Sequence, residues 1–162
     1  EGVGSWLVAD LISREEEIAA EVTLLGRPTD RALHLLTELA REGNAVSRRN
    51  MMHPGEKSIA SHVEQCLAAS EGPVIAATDY IRAYAEQIRA FVPRRYTVLG
   101  TDGFGRSDTR EKLRHFFEVD RHWVVLAALK ALADDGKMPA SKAAEAMKKY
   151  GLAADKPAPW TV

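Results

Sequence analysis

Apolar residues recur along this chain in two rhythms, short continuous blocks and longer stripes at helical spacing. The clearest instance begins at Val74-Ile75-Ala76-Ala77, an apolar block entered through Gly72-Pro73. A stripe follows at Ile81, Tyr84, Ala85, Ile88, Phe91 and Val92, and a second block at Tyr96-Thr97-Val98-Leu99. Block, stripe, block predicts a strand, a helix and a strand, joined as a parallel pair by a crossover. Both predicted strands end alike, in Ala77-Thr78-Asp79 and Gly100-Thr101-Asp102. These are carboxyl ends, where open α/β sheets place their ligands.

The rest of the pattern extends this alternation. Residues 6–25 read as an amphipathic helix, with a Ser13/Glu16 capping box where it can break or restart, stopped by Gly26-Arg27-Pro28. Ala32-Leu33-His34-Leu35-Leu36 reads as a short buried strand, and residues 37–42 as a brief helical turn closed by Gly43. Residues 43–57 are polar and carry Asn50, His53, Pro54 and Gly55, which predicts a surface loop; a helix is expected over 58–70. Beyond residue 100, Leu113, Phe116 and Phe117 mark one face of a helix opened by an Asp108/Glu111 capping box. Asp120 is expected to cap the next helix, whose Val124-Val125-Leu126 run implies burial on more than one side before Asp134-Asp135-Gly136 ends it. Ser141 opens a last helix with a stripe at Ala144, Met147 and Tyr150, basic Lys148 and Lys149 in its final turn, and Gly151 as its stop. The proline-rich tail carries Trp160 as an anchor onto the domain or a neighbour.

Between the second block and the next helix lies a turn with Gly100, Gly103 and Gly105. It is not a dinucleotide fingerprint, because the third glycine due after Gly103-Phe104-Gly105 is replaced by Asp108. It is not a P-loop either, since no Gly-Lys-Ser/Thr follows. A structural turn that lets the chain leave the sheet accounts for these glycines better than phosphate binding does.

Composition narrows the function classes. The 162 residues carry 22 Lys plus Arg against 23 Asp plus Glu, a formal net charge of -1, which gives no electrostatic reason to expect nucleic acid or an anionic membrane as partner. Cys66 is the single cysteine, so neither a disulfide framework nor a thiolate cluster is available; its phase with Ile59, Val63 and Leu67 predicts a core position. Residues 1–5 carry no basic n-region, and no signal peptide is expected from them.

Candidate chemistry is sparse. Asp79 and Asp102 stand where paired carboxylates for acid–base work would stand, yet aspartates at such places more often tie down turns. Among His34, His53, His62, His115 and His122 no pair has the spacing of a helical zinc site; His115 and His122 fall on adjacent helices and could meet. Ser107 lies in Gly105-Arg106-Ser107-Asp108, which is not a nucleophile elbow. The aromatic stripes fit core faces rather than a base-stacking platform.

The string of residues 100–120, GTDGFGRSDTREKLRHFFEVD, resembles the C-terminal domain of the homodimeric, bacterial-type pyruvate dehydrogenase decarboxylases, the thiamine-diphosphate components of pyruvate dehydrogenase complexes. Further blocks agree in order: TELAREG at 37–43, NMMHP at 50–54, ATDY at 77–80, AEQI at 85–88 and Val92-Pro93. The resemblance covers residues 37 to the end. It implies a three-layer α/β fold, like a transketolase C-terminal domain, with a mostly parallel sheet and one antiparallel edge strand. In such enzymes the first two domains hold thiamine diphosphate and magnesium and supply the catalytic residues. The third supports the homodimer and packs on the others.

Residues 1–162 are thus expected to be one domain of a longer cytoplasmic chain, cut at or just inside a domain edge and lacking a short upstream strand. Restoring that strand is expected to raise thermal stability. The domain is expected to bind no cofactor or metal itself and to be inactive alone. Its partners would be the remaining domains, a second subunit and the lipoyl acyltransferase. No catalytic position is carried over. Gly100, Asp102, Gly103, Gly105, Arg106 and Asp108 are expected to organise the turn or a domain contact; His53 is expected to fix its loop against the sheet. Transketolases and the β subunits of heterotetrameric oxo-acid dehydrogenases end in similar domains, although His115-Phe116-Phe117-Glu118-Val119-Asp120 departs from the transketolase pattern. A free-standing interaction module and a small anion-binding enzyme using Gly103 and Gly105 are the other readings.

Overall fold

A computed structural model describes the backbone of residues 5–7, 21–24 and 30–162, and side chains from residue 34 onward. Four strands form one sheet in the order β1 (Ser5–Leu7), β2 (Glu21–Leu24), β3 (Val74–Ala77), β4 (Tyr96–Leu99). β2, β3 and β4 run parallel, with Val22 opposite Ile75 and Ala76 opposite Val98. β1 runs antiparallel to β2 at the edge, through Trp6 opposite Val22. This is the mostly parallel sheet with one antiparallel edge strand that the resemblance implies.

All four residues of β3 are buried because helices cover both faces of the sheet. Alternation divides them. Ile75 and Ala77 join Val124, Val125, Ala128, Leu129 and Ala131 of α5 (Arg121–Asp134) with Ala143 and Ala146 of α6 (Ser141–Tyr150). Val74 and Ala76 join Tyr96 and Val98 of β4, packed against Ala40, Val63, Ala85 and Phe91 from the opposite layer. The small Ala76 and Ala77 let helices approach both faces. α5 is buried on more than one side, as its continuous apolar run predicts.

Several expected elements are different. Residues 21–24 are strand β2, not the end of a helix, and residues 5–7 are strand β1; the capping box at Ser13 and Glu16 and the stop at 26–28 lie outside the described residues. The expected strand at 32–36, the turn at 37–42 and most of the loop at 43–57 are one helix, α1 (Asp30–Met52). Leu36, Ala40 and Gly43 form its buried line at helical spacing. Gly43 is a packing notch rather than a terminator: a Cβ there would lie 2.6 Å from ring carbons of Phe91. The loop begins only after Met52. Asn50 pins it, donating from Nδ2 to the Ile59 carbonyl at 2.8 Å and accepting from the Ile59 N–H at 3.0 Å. His53 pairs locally with Glu56 at 3.1 Å and does not fix the loop to the sheet.

The helix expected over 58–70 shrinks to α2 (His62–Leu67), because the buried Ser61 starts it in a capping box with Glu64. Cys66 is exposed, its Sγ 3.4 Å from Nε2 of His62; Val63 takes the buried position instead. α3 (Arg82–Glu86) is followed by a 3-10 turn at Arg89–Phe91, with Ala85 and Phe91 inward and Ile81 exposed. α4 (Arg110–Phe116) is capped by Thr109, not Asp108: extended backbone at Thr109 lets its hydroxyl accept from the Lys112 N–H. In α6 the buried line is Ala143 and Ala146, one position off the expected Ala144, and Ala140 rather than Ser141 precedes its first turn.

Candidate functional site

The carboxyl ends of β3 and β4 carry two aspartates, and each is held by arginine. The Asp79 carboxylate accepts from Arg114 Nε at 2.7 Å and Nη2 at 2.6 Å, and from Arg110 Nη2 at 3.2 Å. Asp102 accepts from Arg82 through Nε at 2.8 Å and through the backbone N–H at 3.2 Å. Partial burial raises the Asp79 pKa, but the Arg114 hydrogen bonds and the charges of Arg114 and Arg110 outweigh it and hold the carboxyl below its usual range. A carboxylate so held is ionised at neutral pH and is a poor general acid. The two aspartates are thus held separately, Asp79 by Arg110 and Arg114 and Asp102 by Arg82.

Around Asp79 lies an open depression of about 550 Å³, bounded by Thr101, Gly103, Gly105, Arg106, Asp108, Arg110 and Arg114, with Leu113 and Phe117 as its apolar wall. Three arginines against two aspartates leave one net positive charge. Both carboxylates are already engaged, Asp79 by arginine and Asp108 by Lys112 at 3.6 Å and the Thr109 N–H at 2.7 Å. The lining does not fit a magnesium diphosphate, which needs free carboxylate or carbonyl oxygens on the metal.

The glycines divide by reason. A Cβ on Gly100 would lie 2.7 Å from Arg82 Cγ and 2.8 Å from the Tyr80 carbonyl oxygen. Gly103 has φ +124 and would place a Cβ 2.7 Å from the Pro159 carbonyl oxygen. Gly105 has neither constraint: open space surrounds it. Beside it Phe104 is 80% exposed. The tail closes over the turn. Pro159 is buried in a 3-10 turn at Pro159–Thr161, and Arg82 lays its guanidinium 4.5 Å from the centre of the Trp160 ring, which stays half exposed.

Of the six residues expected to organise the turn, Gly103, Gly105, Arg106 and Asp108 line the depression, whereas Gly100 and Asp102 pack on Arg82. Arg106 folds back with its guanidinium 4.4 Å from the centre of the Phe116 ring. Sequence reasoning missed Arg82, Arg110 and Arg114. The spacing of Arg110 and Arg114 was a legible signal, since side chains four apart share a helix face.

His115 and His122 do meet, around Asp120. His115 Nδ1 is 2.8 Å and His122 Nδ1 3.8 Å from Oδ2 of Asp120, while Oδ1 accepts from the His122 and Trp123 N–H groups at the start of α5. Asp120 caps α5 as expected.

A match to the transketolase-like TK C-terminal domain covers residues 14–120. The chain is 60% identical over 154 residues to a pyruvate dehydrogenase E1 component of Cupriavidus necator, covering 95% of this chain and 16% of that protein. It is 62% identical over 120 residues to the Pseudomonas aeruginosa protein of the same name, covering 74% of this chain and 14% of the relative. Against the Escherichia coli K12 protein identity is 49% over 121 residues, 74% of this chain and 13% of the relative. The chain thus spans about a sixth or less of the length of these relatives.

Proposed function

Because the chain belongs to the family of transketolase-like C-terminal domains, we propose that it is the supporting C-terminal domain of a pyruvate dehydrogenase E1-type oxidoreductase. The observation that carries this reading is the 60% identity to such a protein over 95% of the chain. The strand-end carboxylates, all engaged by basic side chains, agree with a bracing role. In the whole enzyme thiamine diphosphate and magnesium sit in other domains. That enzyme decarboxylates pyruvate from glycolysis and acetylates the lipoyl group of the acyltransferase component, in the cytoplasm, as a homodimer. No helix among the described residues is long and apolar enough to cross a membrane.

The open turn at Phe104 and Gly105 is the face turned toward the rest of the enzyme. An exposed aromatic beside a glycine with room around it accepts close approach from another surface.

The test compares three samples with pyruvate, thiamine diphosphate, magnesium and oxidised lipoamide as electron and acetyl acceptor: the intact enzyme, the enzyme ending before residue 1, and the 162-residue chain. Only the intact enzyme should form acetyl groups. Full activity in the shortened enzyme, or turnover by the isolated chain, would refute the proposal.

A further inference from the structure

We propose that His115, Asp120 and His122 form a binding site for one divalent transition metal ion of the zinc type, at the junction of α4 and α5. One ligand atom from each of the three lies within 4.8 Å of the others. A tetrahedral ion with bonds of about 2.0–2.2 Å needs its ligand atoms roughly 3.4 Å apart. The separations from Asp120 Oδ2, 2.8 Å to His115 and 3.8 Å to His122, bracket that spacing. Two imidazoles and a carboxylate are a donor set that suits zinc, cobalt(II) or nickel(II).

The site is largely organised in advance. Asp120 is held through its other oxygen by two backbone N–H groups, which leaves Oδ2 aimed at the histidines. The His122 ring stacks on Tyr150, centroids 4.6 Å apart at 24°. The linking turn is stiff: Glu118 adopts φ 64, the Val119 N–H donates to the Arg114 carbonyl at 2.9 Å, and Lys156 bridges Glu118 at 2.7 Å. His115 is exposed, which leaves its ring room to turn onto an ion, and water can take the fourth position.

One contact opposes the ion. Arg121 Nε stands 3.4 Å from His122 Nε2. An ion on Nδ1 leaves the ring proton on Nε2, so Arg121 must swing away, which its exposed position permits. The site involves no residue of the depression around Asp79 and does not depend on the enzyme reading.

The experiment titrates zinc chloride into the full 162-residue chain by calorimetry, with cobalt(II) absorption as a second readout. One equivalent should bind, with cobalt bands of tetrahedral type. His115→Ala, which removes no cap, and His122→Ala should each weaken binding on the order of tenfold or more with unchanged far-UV circular dichroism. Arg121→Ala should tighten it severalfold by removing a nearby positive charge. No binding, equal binding by the histidine variants, or binding lost only with Cys66→Ala, which stands beside His62, overturns the proposal.

Discussion

Asp79, at the end of β3, takes two parallel hydrogen bonds from Arg114 of α4, 35 residues further along the chain. This bidentate pair fastens the helix after the glycine turn to the sheet edge before it. Asp79→Asn keeps the shape but leaves Arg114 and Arg110 without their anion. A loss of about 1 kcal/mol is expected, modest because the Asp79 side chain is still 25% exposed. Urea melts of the two proteins at neutral pH measure it.

The same pair sets a pH dependence. Its native pKa lies below the ordinary 3.8, so its stabilisation is complete above that value and fades as pH falls through the lower native one. The gap in melting temperature between the parent and Asp79→Asn should be constant from pH 7 to pH 5 and close as pH drops below 3.8. A gap that widens on acidification would contradict the assignment.

Gly103 and Gly105 are two residues apart and should respond unequally. Gly103→Ala combines positive-φ strain with a clash on the Pro159 carbonyl, for an expected cost of about 1–3 kcal/mol. The tail should loosen as well, read as a red shift of Trp160 emission in a background with Trp6 and Trp123 replaced. Gly105→Ala should cost less than about 0.5 kcal/mol in the isolated chain. On the proposed domain contact at Gly105, its cost should appear only in the intact enzyme, as lost activity or dimer stability.

Gly43→Ala should destabilise by about 1–3 kcal/mol, although alanine is the better helix former by about 1 kcal/mol, because the methyl group meets the Phe91 ring at 2.6 Å. Phe91→Leu in the same chain should recover part of the loss. A double-mutant cycle by chemical denaturation provides the coupling.

Tyr96 is buried in the core between α3 and the sheet and donates its phenolic hydrogen to the Ala85 carbonyl at 3.0 Å. Burial pushes its ionisation well above the usual value. Tyr96→Phe should cost about 1 kcal/mol, the net value of one such bond. In ultraviolet titration the parent should show one tyrosine that ionises only as the protein unfolds.

The sequence by itself determined the central strand pair and the turn that follows it. Residues 74–77 and 96–99 are short, apolar and bounded by strong breakers, so local chemistry leaves little choice, and the caps at Asp120 and Gly151 are equally local. The order of matching blocks also pointed to the correct family. Tertiary structure decided what depends on a distant partner. Gly43 looks like a helix stop until Phe91, 48 positions later, fills the space a side chain would need. The 32–36 block is apolar enough for a strand, yet its continuation to Ala40 and Gly43 gains burial only along a helix face. Asp79 and Asp102 look like a catalytic pair until three arginines, two from α4 and one from α3, take them separately. Charges so far apart in the chain meet only after the sheet has brought its carboxyl edge and two helices together.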